Sequence, residues 1–346
     1  MTLHSEIFEQ PGILGDLLQE QRQTAERVAA AIRQAQPTFL LLAARGTSDN
    51  AARYATYLWG AQNHLPVALA TPSLFTYYQR PPRLQGALVI GISQSGQSPD
   101  IVAVVREGHR QGCPTIAITN APHSPLADAA DIVFDLQAGQ EQAIAATKTY
   151  TAELMAMAMI SAALQQDQEQ PWQQLARVPA WVQEMLQLDA QIATLVERYR
   201  YMRHCVVVGR GFNYATAFEW ALKLKELTYV VAEPYSSADL LHGPIAMIED
   251  GFPVLAIAPD GAVFDSMHSL LTQLHREQRA ELVVISNREE TLQLAQSPVP
   301  LPRNIPEWLT PLVSIVAGQL FAYHLTQTKK YDTETPRSLR KVTKTQ

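Results

Sequence analysis

The chain has 346 residues, 47% hydrophobic and 17% charged, enough apolar material for sizeable cores in two domains or one large one. A formal charge of −6 and the lack of any Lys/Arg block exclude the electrostatic footprint of a nucleic-acid binder, while local backbone dipoles can still hold a small anion. Two cysteines, Cys113 and Cys205, lie far apart without CxxC or Cys/His ligand spacing, and read as reduced, buried thiols of a cytoplasmic protein with no structural zinc.

The opening residues 1–12 have no apolar signal segment, and the chain is read as neither secreted nor membrane-spanning. Residues 1–38 form an N-terminal helical segment in this reading. Apolar strands are expected at Phe39–Ala43, Ala87–Ile92, Thr115–Ile118, Ile132–Phe134, Cys205–Val208, Val254–Ile257 and Leu282–Ile285. Helical periods lie near 48–60, 98–111, 147–165, 214–228 and 262–276. This alternation of strand and helix predicts an α/β fold, with parallel sheets covered by helices on both faces.

The chain also repeats itself. The run FLLLAARGTSDNAARYA, from Phe39, corresponds to HCVVVGRGFNYATAFEWA, from His204, about 165 residues later, and a second pair of strand segments matches at nearly the same offset. The period is that of a domain, which predicts two similar doubly wound domains. The expected partition is a first domain at 39–170, connecting helices at 171–200, a second domain at 201–330 and a tail at 331–346.

The stretch GISQSGQSPD, residues 91–100, joins a buried strand to an amphipathic helix. In a doubly wound sheet, ligands bind beyond the carboxyl ends of the strands. A first helical turn offers free N–H groups and partial positive charge, worth roughly 0.3–1 kcal/mol to an anion and about 2 when partly buried. Ser93, Gln94, Ser95 and Ser98 therefore suit a phosphomonoester cradle, and Gly96 permits close backbone approach. The same residues also suit a plain turn, with Ser98 as N-cap before Pro99. A second polar loop, Arg45–Ser48, follows the preceding strand and favours the phosphate reading. No GxGxxG follows either first strand and no GxxxxGK[ST] occurs, so this is not a dinucleotide fingerprint.

Glu219, Lys223 and Glu226 fall within an arc of roughly 60° on one helix face, opposite the packing residues Ala217, Trp220, Ala221, Leu224 and Leu227. One reading is an exposed salt-bridge ladder, worth only ~0.3–0.5 kcal/mol per pair. The other is an acid–base set completed by His242, which lies in a Leu-Leu-His-Gly-Pro turn where a histidine is more often structural than catalytic.

The segments SQSGQSPD (93–100), RGTS (45–48), AGQEQAIAATKTYTAEL (138–154), EWALKLKELTYVVAEPYSSADLLHGP (219–244) and PRSLRKVTKT (336–345) together resemble the sugar isomerase (SIS) family. They look most like the isomerase half of glucosamine-6-phosphate synthases, down to an opening EIFEQP segment at Glu6–Pro11. The resemblance covers nearly the whole chain as two SIS domains. It implies that Thr47, Ser48, Ser93, Gln94, Ser95 and Ser98 bind a sugar phosphate, with Ser98 where synthases commonly have threonine. It implies that Glu226 moves a proton between C1 and C2, that Lys223 orients the open-chain sugar, and that His242 assists ring opening at the site of a neighbouring subunit. Lys341 matches a lysine that contacts the open-chain sugar and can form a Schiff base.

There are departures. Arg45 replaces the cysteine usual before Gly-Thr-Ser, and the chain starts directly at the isomerase half, without a glutaminase domain. The resemblance then points to the stand-alone glucosamine-6-phosphate deaminases, yielding fructose-6-phosphate and ammonia. The expected partners are a phosphorylated amino sugar and a second copy in a homodimer, with no nucleic acid, membrane, metal or other cofactor. A deglycase for fructosamine-type 6-phosphates, a galactosamine-6-phosphate deaminase and a non-catalytic phosphosugar sensor are the alternatives.

Overall fold

The computed structural model describes residues 2–165 and 168–341, so the expected tail, 331–346, is described only to Lys341. Three helices open the chain: α1 (Leu3–Phe8), α2 (Gln10–Glu20) and α3 (Arg22–Ala35). The order then runs β1 (Phe39–Ala43), α4 (Gly46–Asn63), β2 (Val67–Leu69), β3 (Ala87–Ser93), α5 (Pro99–Arg110), β4 (Thr115–Thr119), β5 (Ile132–Asp135) and α6 (Lys148–Leu164). Helices α7 (Gln170–Leu175), α8 (Val178–Leu186) and α9 (Asp189–Leu195) follow. The second series is β6 (His204–Gly209), α10 (Tyr214–Lys223), β7 (Val231–Ser236), α11 (Ser237–Leu241), β8 (Pro253–Ile257), α12 (Phe264–Gln273), β9 (Glu281–Ser286), α13 (Glu289–Leu292), β10 (Ser297–Pro300) and α14 (Thr310–Thr328).

Two compact units result. Among the described residues, one comprises 9–142 and 146–177 with Arg340 and Lys341, and the other 2–8, 143–145 and 178–339. Each contains a five-stranded, all-parallel sheet, ordered β2-β1-β3-β4-β5 in the first and β10-β9-β8-β6-β7 in the second. Read from the opposite edge, the second order is the first repeated. The duplication read from the sequence is therefore a duplication of topology. In both sheets the strand order reverses at the first strand, between β1 and β3 and between β6 and β8, which places a crevice beyond the carboxyl ends there.

Alternate strand residues fill opposite faces. In the first unit Leu41, Ala43 and Val89 pack on Ile101, Val104 and Val105 of α5. In the second, Val206, Val208, Val254 and Val284 pack on Met267, Leu270 and Leu271 of α12. Helices α6 and α14 are apolar all round and buried almost throughout, as helices enclosed by others must be. The segment Glu307–Thr328 is long and apolar enough to cross a membrane, but 89% of its most apolar window is buried within the fold. Gly318 lets α14 approach α10, since a Cβ there would sit 2.9 Å from the Trp220 ring.

The strands missing from the sequence reading are β2, β7 and β10. All three are sheet edges. They are short or carry prolines: Pro234 in β7, Pro298 and Pro300 in β10. Proline withholds a ladder donor and survives only where one side of the strand needs no partner.

Candidate functional site

In the first unit both polar loops leave the sheet at its reversal point. Strand β1 ends with Ala43 opposite Gly91, and β3 runs two residues further to Ser93 opposite Thr119, so both loops leave the carboxyl edge of the sheet. Arg45 is the N-cap of α4, and Gly46 turns the chain at φ +55° into the helix, putting Thr47 and Ser48 in its first turn. Ser48 is buried and donates to Glu153 Oε1 of α6 at 2.7 Å. Burial pushes the neighbouring Asp49 carboxyl up, against the pull of Arg53 and Arg45.

The loop after β3 is braced on several sides. The Gly96 N–H donates to the Ser93 carbonyl (3.3 Å) and hydroxyl (3.2 Å). Asn120 N–H donates to the Gln94 carbonyl at 3.2 Å, and Leu126 N–H to the Gly96 carbonyl at 3.1 Å. Gly96 has φ +60°, and a Cβ there would lie 1.9 Å from the Ser124 hydroxyl oxygen. Ser98 stands at the N-cap of α5 before Pro99, as the turn reading expects, but its side chain makes no capping hydrogen bond. The capping role thus leaves the Ser98 hydroxyl available. Arg45 Nε donates to Asp100 Oδ2 at 2.7 Å, tying the two loops together.

The second unit lacks this chemistry at the equivalent place. After β8 the chain reads Ala258-Pro259-Asp260-Gly261-Ala262, without a hydroxyl. Its Ala262 N–H is taken by the chain's own Glu307 carboxylate at 2.9 Å, and Glu307 also fills the space beside Gly261. One copy of the duplicated loop carries hydroxyls; the other has none and is bonded to the chain's own carboxylate.

The acid–base residues fall in the second unit. Helix α10 ends at Lys223 in a π-helical turn, Leu224–Thr228, which closes on Tyr229 at φ +56°. The wide turn carries Glu226, and Lys223 Nζ donates to its Oε2 at 2.5 Å and lies 3.4 Å from Glu219 Oε1. The exposed-ladder reading is overturned: the Glu219 and Lys223 side chains are 0% and 1% exposed, and Glu226 22%. The sheet and α14 enclose the helix that the sequence left open to water.

His242 is the C-cap of α11. That short helix starts on Ser236, whose hydroxyl accepts from Asp239 N–H (3.1 Å) and donates to its carboxylate (2.8 Å). Gly243 at φ +133° and Pro244 then redirect the chain. The imidazole is exposed, between the exposed apolar Leu241 and Met247.

Lys341 belongs to the first unit, where its Nζ donates to Glu141 Oε2 at 2.8 Å. Glu141 is buried and also accepts from Thr147 N–H, Thr149 N–H and the Thr149 hydroxyl. Glu141, Glu153 and Asp100 were not singled out in the sequence. A lone carboxylate in the otherwise neutral run 138–147 was the available hint for Glu141.

Two doubly wound α/β domains, the first with a hydroxyl-lined loop at its sheet reversal, define a class of tandem α/β proteins whose crevices lie beyond the carboxyl ends of the strands. The chain belongs to the SIS domain family, which matches residues 34–163 and 199–329. It is 34% identical over 344 residues to the glutamine–fructose-6-phosphate aminotransferase (isomerizing) of Thermococcus kodakarensis, a match spanning 97% of this chain and 56% of that relative. The C-terminal domain of glucosamine-fructose-6-phosphate aminotransferase from Francisella tularensis superposes with TM-score 0.86 at 27% identity, over 96% of this chain and 98% of that one. The glucosamine-6-phosphate deaminase of Thermotoga maritima shares the fold, with TM-score 0.77 at 19% identity over 99% of each chain.

Proposed function

We propose that this protein is a phosphosugar isomerase acting as a glucosamine-6-phosphate deaminase, releasing fructose-6-phosphate and ammonia. The observation that carries the reading is the braced loop 93–98, with its uncommitted Ser98 hydroxyl at the head of α5. Thr47, Ser48, Ser93, Gln94, Ser95 and Ser98 bind the sugar phosphate, through hydroxyl, amide and backbone N–H groups.

His242 assists ring opening. Glu226, held at Oε2 by Lys223, takes the C2 proton of the open-chain amino aldose and returns a proton to C1. Lys223 is buried between two carboxylates, so it acts by positioning Glu226 rather than by touching the sugar. The product of proton transfer is a C2 imine. Water adds to it and ammonia leaves, which balances the reaction as amino sugar phosphate plus water to ketose phosphate plus ammonia. Lys341, fixed by Glu141, contacts the open chain.

Both cysteines are held as unreactive thiols. Cys205 is buried and its thiol is pushed up to about 12 by desolvation, and burial also raises Cys113. Two reduced thiols also fit a cytoplasmic location. Leu241 and Met247, 48% and 47% exposed on either side of His242, fit coverage by a second copy in a homodimer.

The test is incubation of the purified chain with glucosamine-6-phosphate while ammonia and fructose-6-phosphate are followed together. Equal production of the two is expected. Production of neither sinks the deaminase reading.

A further inference from the structure

Apart from the residues of the proposed site, three ligand-type side chains of the second unit converge on a point. His4 Nε2 of α1 lies 3.1 Å from Asp189 Oδ1 at the start of α9, and His324 Nε2 of α14 lies 2.6 Å from the same oxygen. The three ligand atoms all fall within 4.8 Å of one another. We propose that His4, Asp189 and His324 form a binding site for a divalent transition-metal ion of the zinc type.

The donor set is the first argument. Two imidazoles and one carboxylate make an N2O set suited to zinc, with a fourth position left for water. Carboxylate-only sites favour calcium or magnesium; this one does not.

Spacing is the second. A tetrahedral ion with bonds of about 2.1 Å separates its ligand atoms by about 3.4 Å. The His4 contact is already near that value, and the His324 contact needs a sub-ångström opening. Both imidazoles point the same ring nitrogen at the point of convergence.

The third argument is rigidity. The ligands sit on three helices, and the rings are held by aromatic neighbours. His4 packs against Phe8 and Tyr323 at 4.6 and 4.8 Å between centroids, and His324 against Tyr323 at 5.0 Å. Fixed rings lose little freedom on binding an ion. All three side chains are only partly buried, so an ion can reach them. Bound there, it would clamp α1 onto α9 and α14. The expectation of no metal came from local spacing, which cannot detect ligands separated by 185 and 135 residues.

The test uses the full chain, freed of metal by chelator and titrated with ZnCl2 in a calorimeter. One equivalent per chain is expected, with a rise in melting temperature. His324→Ala and Asp189→Ala should weaken binding by about 100-fold or more. His4→Gln, which keeps a donor for Asp189 but removes a ligand, should weaken it as well. Cobalt substitution in the unaltered chain gives a reading independent of variant folding: an intense visible band marks tetrahedral coordination. No zinc uptake, undiminished uptake in the folded His4→Gln protein, or an octahedral cobalt spectrum would overturn the proposal.

Discussion

Arg45 and Asp100 form an ion pair of 2.7 Å in which the carboxylate is completely buried and the guanidinium half exposed. The pair joins the loop after β1 to the head of α5, and so fixes the spacing of the two loops proposed to hold the phosphate. Arg45→Ala would leave a buried charge without its partner. Breaking a fully buried pair costs about 3–5 kcal/mol, and the exposure of Arg45 reduces this to about 1–3. Urea unfolding should show that loss, and KM for the phosphosugar should rise more than kcat falls.

Gly96→Ala is expected to damage the same loop for a different reason. The position has φ +60°, and the added Cβ would collide with Ser124. Backbone strain of this kind costs about 1–3 kcal/mol, before any steric term. The double variant Gly96→Ala/Ser124→Gly removes the collision but not the strain. Calorimetric titration with inorganic phosphate should therefore show partial recovery of binding in the double variant, and none in the single one.

The two members of the Lys223–Glu226 pair should fail in different ways. Glu226 is the more exposed partner, so Glu226→Gln should fold normally and lose about 10²–10⁴ in turnover. Lys223→Met removes the ammonium that pairs with the buried Glu219 and with Glu226, and should destabilise the fold by about 3–5 kcal/mol. Thermal melts and steady-state rates on both variants separate the two effects.

Glu141 should matter through Lys341. Replacing Glu141 with glutamine puts an amide N–H among three donors and the Lys341 ammonium. Hydrogen bonds to a charged group are worth about 1.5–3 kcal/mol each, so turnover should drop and proteolysis near Lys341 should accelerate. Limited proteolysis followed by mass spectrometry checks the second effect directly.

Neither cysteine should react in the folded protein. With its thiol pushed up to about 12, Cys205 is roughly one part in ten thousand thiolate at pH 8, and it is buried as well. Raising the pH toward 9 therefore gains little reactivity before unfolding. Ellman's reagent should label neither Cys113 nor Cys205 at pH 8, and both in denaturant.

The seven expected strands and the duplication were readable because they rest on local properties: apolar runs, their spacing, and one segment echoing another about 165 residues on. The polar loops at 45–48 and 93–98 were readable for the same reason, since hydroxyls between a strand and a helix stand out from their neighbours. The edge strands β2, β7 and β10 were not, because an edge needs only half the pattern of a central strand. The spacing of Glu219, Lys223 and Glu226 placed them on one face but could not say whether that face met water or protein.

By itself, then, the sequence determined the α/β class, the tandem sheets, and which loop carries hydroxyls at a strand end. Tertiary structure decided the rest: that Lys223 is buried and reaches Glu226 through a π-turn, that Glu141 grips Lys341, that Arg45 answers Asp100, and that His4, Asp189 and His324 meet. It also decided that Glu307 fills the second copy of the loop. The physical reason is the range of the interactions. Periodicity and turn chemistry act over a few residues, whereas burial and ion pairing depend on which distant segments the packed helices bring within a few ångströms.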